Sequence, residues 1–200
     1  IYYDQLLNSS TNIKEFNKVL DQLNILGSKV IFPYFMLLLN LYDEGQINSD
    51  YVVELANTWE SLLFRIRICH MGTNRLNKIV ISLCDIQKET NSLSQSMYKF
   101  TKATFPDDKV FATNLMHLDI YNQRKHLAKL ALMAVEENRT KETIEFDDAQ
   151  IEHIMPQHLN AAWRLQVEHA DRVNEQLGNT IGNLTLTKYN QEMGNKPFAE

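Results

Sequence analysis

The chain has 200 residues, 44% of them apolar, and carries 20 Lys and Arg against 25 Asp and Glu for a formal net charge of −5. That apolar content suffices for a full core, and the length admits one domain or two. The longest apolar run, Val30 to Leu39, is interrupted by Pro33 and Tyr34 and falls far short of the roughly 20 residues that span a bilayer, so no membrane segment is expected.

Ile1-Tyr2-Tyr3-Asp4 lacks both a start methionine and a basic-then-apolar leader, so the chain reads as a fragment rather than as the product of a signal peptide. Ile13, Phe16, Val19, Leu20 and Leu23 recur at three- and four-residue steps, which predicts an amphipathic helix capped by Thr11 or Asn12. Ser28 to Tyr42 is almost continuously apolar, with Pro33 near its start, and predicts a buried helix stopped by Gly45 at the centre of a bundle. Ser49 caps a long helix through Val52, Leu55, Trp59, Leu62 and Ile66, ended by Gly72. A fourth helix carries Leu76, Val80, Leu83 and Ile86, and a shorter amphipathic stretch follows around Leu93, Met97 and Phe100. Phe105-Pro106-Asp107-Asp108 breaks the pattern, and Asp107 caps a helix from Val110 to His117. The last helix, about Asn122 to Glu137, is expected to bury Leu127, Leu130, Ala131, Ala134 and Val135 and to show Arg124, Lys125 and Lys129 to solvent.

Asn138-Arg139-Thr140-Lys141 is the best polar linker, so residues 1–141 are expected to form a helical support domain and residues 142–200 a second, C-terminally truncated domain. There Thr143–Phe146 and Gln150–Ile154 are short β-prone stretches, the second stopped by Pro156. Ala161 to Leu177 has helical spacing with little apolar weight and suits an inserted surface helix. Gly178 to Gly182 is turn chemistry, and Asn183 to Thr187 alternates as a half-buried strand, with Leu184 and Leu186 toward the core. A short helix over Lys188–Met193, closed by Gly194, completes a strand, long loop, strand, helix order. The expected fold class is thus mainly α: a helical bundle followed by a small ββα-metal unit of α+β type.

Glu152-His153-Ile154-x-Pro156-Gln157, the lone Trp163, Gly182-Asn183-Leu184-Thr185-Leu186, Asn190 and Asn195-Lys196-Pro197-Phe198 stand in the order and spacing of a known family. They resemble the C-terminal HNH-type (His-Me finger) nuclease domain of GmrSD-like type IV restriction endonucleases. Upstream, Phe105-Pro106-x-Asp108-x-x-Phe111 and Tyr121 resemble the region preceding that nuclease. The resemblance implies a metal-dependent DNA endonuclease of an anti-phage restriction system, directed against modified-cytosine DNA. It also implies a nucleotide-dependent N-terminal domain as a partner of the same protein.

Phosphodiester hydrolysis needs a base to activate water, a cation to neutralise charge building on phosphorus, and in-line attack. His153 is the natural base, because imidazole is the side chain that ordinarily titrates near neutral pH; a carbonyl or an amide should hold its other nitrogen. By resemblance, Asn183 and Asn190 join His153 as catalytic candidates. Glu152 and Asn190 are the expected ligands for Mg²⁺, or Mn²⁺ in its place, since Mg²⁺ takes few protein ligands together with waters and phosphate oxygens. The motif reads His-Asn-Asn with Glu rather than Asp before the histidine, and adjacent residues on a regular strand point to opposite faces, so Glu152 and His153 share a site only where the strand ends or bends. Asn183 and Asn190 serve equally as turn or cap residues, and Trp163 suits packing better than base stacking.

Lys196, Arg65 and Arg67 are the candidates for nucleic-acid contact, the two arginines within a cluster that includes Arg75, Lys78 and His70. The bland alternative is a solvated face paired with Glu54, Glu60 and Asp85. Residues 143–200 hold nine acids against four bases, whereas a DNA binder usually presents a basic surface. That imbalance and the two asparagines favour a competing reading, a non-catalytic interaction module with a degenerate HNH-like unit. Cys69 and Cys84 lie in apolar helical patterns without a CxxC pair, which suggests a reducing cytoplasm and neither disulfides nor a zinc knuckle. Cutting both strands would usually need two such sites, which a homo-oligomer would supply.

Overall fold

The computed structural model describes residues 1–90, 92, 95, 105–139, 146 and 148–187. The chain divides into two compact units, Ile1–Phe111 and Ala112–Glu200.

The first unit is helical: α1 (Tyr2–Leu7), α2 (Lys14–Leu26), α3 (Phe32–Asp43), α4 (Ser49–Ile68) and α5 (Leu76–Thr90). From α2 to α5 the stripes are those the spacing predicts, and α2 lays Phe16, Val19, Leu20 and Leu23 into the core, whereas α1, too short to show a periodic stripe, was not expected and buries Leu6. The caps differ by a residue or so. Ile13 is the N-cap of α2, while the buried Thr11 hydroxyl accepts from the Ile13 amide and donates to Asn17 Oδ1 at 2.7 Å. Asn48, not Ser49, caps α4, its Oδ1 accepting from the Tyr51 amide at 2.9 Å. Gly27, at φ +69°, ends α2 in the left-handed region, where a side chain would be strained. Pro33 falls in the first turn of α3, where its missing N–H costs no intrahelical bond.

Packing joins α2 to α4 and α3 to α5, around the fully buried Trp59, Tyr34, Phe16 and Phe35. Phe16 and Phe35 meet edge to face at 5.1 Å, the geometry the ring quadrupole prefers. Gln87 is buried in this core, and its Oε1 accepts from the hydroxyls of Tyr34 at 3.2 Å and Tyr51 at 2.6 Å. The polar end of α5 is thereby satisfied inside the bundle.

Burial pushes the thiols of Cys69 and Cys84 above their ordinary range, more than the nearby Arg65 and Lys88 draw them down. Because the thiolate is the reacting form, alkylation of both in the native protein at pH 8 is expected to run several-fold slower than in the denatured chain. The gap should narrow as pH rises; native rates equal to denatured ones at pH 8 would contradict this.

Helix α6 (Asp108–His117) runs across the boundary between the units. The second unit continues with α7 (Ile120–Arg139), which kinks at Arg124. Then come β1 (Gln150–His153), α8 (Ala161–Gln166), α9 (Ala170–Leu177), a 3₁₀ turn over Ile181–Asn183 and β2 (Leu184–Thr187). The strands pair antiparallel, with Ile151 opposite Leu186 and His153 opposite Leu184. The buried side of α7, including Leu127, Ala128, Leu130 and Leu132, belongs to this unit, and α7 packs on β1, β2 and the 3₁₀ turn, whereas Ala134 and Val135, expected on that face, are exposed because the helix runs on past the strands. The compact units therefore meet about thirty residues before the polar stretch 138–141, because the apolar face of α7 needs the strands to cover it.

The insertion between the strands is two short helices rather than one. Val167 is extended and His169 sits at φ +55°, so the helical run breaks between α8 and α9. Trp163, Met155 and Ala170 form a small buried cluster with Leu159, Val167 and Val173 packed against it. Trp163 thus packs the insertion. The expected strand over 143–146, apart from Phe146, and the expected final helix over 188–193 lie outside the described residues, as do Leu93, Met97 and Phe100. The observed architecture is mainly helical with a two-stranded sheet, and no described helix is long and apolar enough to cross a membrane.

Candidate active site

β1 ends at His153, and pairing with β2 is regular up to that residue. On a pleated strand, Ile151 and His153 share one face and Gln150 and Glu152 the other. Ile151 is buried, and the His153 ring stands 4.4 Å from the Tyr121 ring of α7 at 69°. The histidine face is therefore the one that α7 covers.

His153 Nε2 lies 3.1 Å from Asn179 Oδ1, and the same oxygen accepts from Gln157 Nε2 at 3.1 Å. An amide oxygen only accepts, so this arrangement puts the imidazole proton on Nε2 and leaves the lone pair on Nδ1. Asn179 is fixed in turn, because its backbone carbonyl accepts from the Tyr121 amide at 3.2 Å. Its place just after α9 is set by Thr180, whose hydroxyl donates to the Leu177 carbonyl at 2.9 Å. Tyr121 and Asn179 thus hold the imidazole from two directions, and Gln157 holds the Asn179 amide.

Asn183 does a different job. Its Oδ1 accepts from the Met155 amide at 2.8 Å, while its Nδ2 donates to the carbonyls of Met155 at 2.9 Å and Gly178 at 2.8 Å. Its own carbonyl accepts from the Ile154 amide at 2.9 Å. Both side-chain N–H groups are used, so Asn183 ties the chain leaving β1 to the end of α9 and brings no free donor to a substrate.

Glu152 sits opposite Thr185 on the far side of the pleat from His153. Asn190 and Lys196 lie outside the described residues. Among the described residues no cluster of three or more His, Cys, Asp or Glu side chains is placed to hold a metal ion. The donor set on the His153 face is an imidazole with two amides, and it lacks the carboxylate oxygens that Mg²⁺ prefers. The described residues therefore do not by themselves fit the expected cation.

Arg65 and Arg67 are engaged within the first unit. Arg65 Nη1 lies 2.6 Å from Asp108 Oδ1 and donates to the Pro106 carbonyl at 3.2 Å, and its guanidinium stands 4.7 Å above the Phe111 ring. It holds the Phe105–Phe111 segment against α4. Arg67 donates to the Leu26 carbonyl at 3.3 Å, at the end of α2, where a cation also meets the negative end of the helix dipole.

Three residues of the histidine's surroundings carried no functional weight in the sequence reading. Asn179 was hidden in a turn-forming run, Gln157 stood only as a flanking motif residue, and Tyr121 as a positional marker upstream. A signal did exist: Asn179 lies four residues before Asn183 across a turn, near enough for both amides to reach the end of β1.

Residues 105–200 match the family described as GmrSD restriction endonucleases, C-terminal domain. No curated protein and no solved structure matches the chain. The match spans the Phe105 break, α6 and α7, both strands and the insertion, and so takes in every residue around His153. Over residues 105–200 the chain is thus similar to the C-terminal domain of the GmrSD restriction endonuclease family.

Proposed function

We propose that this part of the chain is an HNH-type endonuclease domain that hydrolyses DNA phosphodiester bonds, as part of a type IV restriction system acting on modified-cytosine DNA. The observation that carries the reading is the setting of His153, held through Nε2 by Asn179 with Nδ1 left as an acceptor. A water at Nδ1 would give up one proton to the ring as its oxygen attacks phosphorus; the opposite phosphorus–oxygen bond breaks, and the departing sugar oxygen takes a proton from solvent water. The imidazolium so formed keeps its Nε2–H on the Asn179 oxygen, which stabilises the charge and prevents the ring from turning. Asn179 is then a positioning residue, and Asn183 holds the segment that presents the histidine.

Mg²⁺, or Mn²⁺, would supply charge neutralisation at the phosphoryl oxygens. None of the steps above runs through it, since Glu152 leaves the opposite face and Asn190 is outside the described residues.

Asn179→Ala tests the reading. A hydrogen bond to a charged group contributes about 1.5–3 kcal/mol, so kcat for a short labelled duplex should fall about tenfold to a hundredfold. Asn179→Asp, which keeps an oxygen acceptor at that place, should retain more of the rate than the alanine variant, with the melting temperature of both close to that of wild type. A purely structural role would lower the melting temperature in step with the rate. An unchanged rate in Asn179→Ala would sink the assignment.

A second reading, a non-catalytic interaction module with a remnant of the HNH unit, is favoured by the separation of Glu152 from His153 across β1. It requires that the chain cleave nothing, with any cation present.

A further inference from the structure

The stretch Ile120 to Val135 contains Arg124, Lys125, Lys129 and His126 and no Asp or Glu, although residues 143–200 carry nine acids against four bases. Those bases have a defined setting. Tyr121, Lys125, His126 and Lys129 of α7, with Ala149, Gln150 and Ile151 at the start of β1, line an open cleft of about 320 Å³. Lys125 Nζ stands 4.7 Å above the Tyr121 ring and donates to its hydroxyl at 3.2 Å, and that ring stands 4.4 Å from His153. Among the described residues neither Lys125 nor Lys129 is in a salt bridge. They lie one helical turn apart on one face. Arg65, by contrast, already holds an acid and Arg67 a helix end.

We propose that the cleft between α7 and β1 binds the phosphate backbone of duplex DNA through Lys125 and Lys129, and that Tyr121 links this track to His153. The inference rests on the nuclease reading for its choice of DNA. Ammonium groups without acidic partners bind phosphate by releasing condensed counterions, a sequence-independent interaction. Such a track delivers any DNA to the histidine and leaves selection of modified bases to other parts of the protein.

The test is binding of a labelled 20-base-pair duplex, read by fluorescence anisotropy across a salt series, with the chelator EDTA present so that no cleavage intervenes. The Lys125→Gln/Lys129→Gln variant is compared with wild type and with Lys18→Gln/Lys29→Gln, which removes the same charge from exposed positions of the first unit. Circular dichroism and melting check that each variant is folded. The cleft variant should bind about tenfold or more weakly at low salt, and its slope of log K against log salt should be shallower by about 2, roughly 1 for each lost phosphate contact. The control should keep the wild-type slope.

Equal losses in both variants, an unchanged slope in the cleft variant, or no duplex binding by wild type at low salt would overturn the proposal. So would tighter binding of an RNA duplex of the same sequence. His153→Ala separates this inference from the reading beneath it. If that variant binds as wild type and does not cleave while the lysine pair proves indifferent, the cleft fails and the nuclease stands. If the lysine pair matters and His153→Ala still cleaves, the histidine assignment fails and the cleft stands.

Discussion

His153→Ala is expected to lower kcat for cleavage of a labelled duplex by about 10²–10⁴-fold, the range typical of a lost general base, while leaving the fold in place. The ring is half-buried at the end of β1 and is not part of the apolar core. Its removal deprives Asn179 of one partner but leaves that oxygen its bond from Gln157. The vacated space has the shape of an imidazole, edged by the Tyr121 ring and the Asn179 amide. Added imidazole should therefore restore part of the lost rate, in a pH-dependent way, and should do nothing for Asn183→Ala. Full activity in His153→Ala would remove the base from the mechanism. A loss that imidazole does not relieve, accompanied by a lower melting temperature, would point to a structural role.

Asn183→Ala is the second large effect, expected on stability. Three hydrogen bonds from one side chain, to both backbone groups of Met155 and to the Gly178 carbonyl, would be lost in a part-buried setting. Leaving such groups unsatisfied is expected to cost about 2–4 kcal/mol in chemical denaturation. The loss would spread, because Met155 belongs to the buried cluster with Trp163 that holds the insertion. Asn183→Asp should be at least as damaging, since a carboxylate would then face two carbonyl oxygens. A variant whose stability is within about 0.5 kcal/mol of wild type and yet cannot cleave would instead give Asn183 a direct chemical role.

Much of the first unit was legible because its signal is periodic. The stripe of α2 and the apolar run of α3 can be satisfied only by a helical core, and that is where Phe16, Tyr34 and Phe35 lie. Caps were less legible. Asn48 and Ser49 are both good caps and adjacent, and the choice between them rests on one hydrogen bond to Tyr51. Polarity at 138–141 marks a loop, whereas the division into compact units, between Phe111 and Ala112, depends on what covers the apolar face of α7, a tertiary matter.

The pairing of β1 with β2 across the insertion was implied by the order of elements, and His153 stood out by residue type. The surroundings of His153 did not. Whether Asn179, Gln157 or Asn183 meets the imidazole depends on how a turn folds, and the two asparagines are ordinary turn residues. Arg65 and Arg67 drew attention because they cluster in sequence, yet both are held by neighbours in the fold. The bases with open surroundings, Lys125 and Lys129, were visible only as the solvent face of a helix.

The most direct measurement is conversion of supercoiled plasmid, with and without modified cytosine, to open-circle or linear DNA by the 200-residue chain, with Mg²⁺, with Mn²⁺ and with EDTA. Divalent-dependent nicking by wild type, absent from His153→Ala prepared in parallel, is the predicted result. Equal nicking by both proteins would contradict the account, as would none by either under any of these conditions while both are folded and bind DNA.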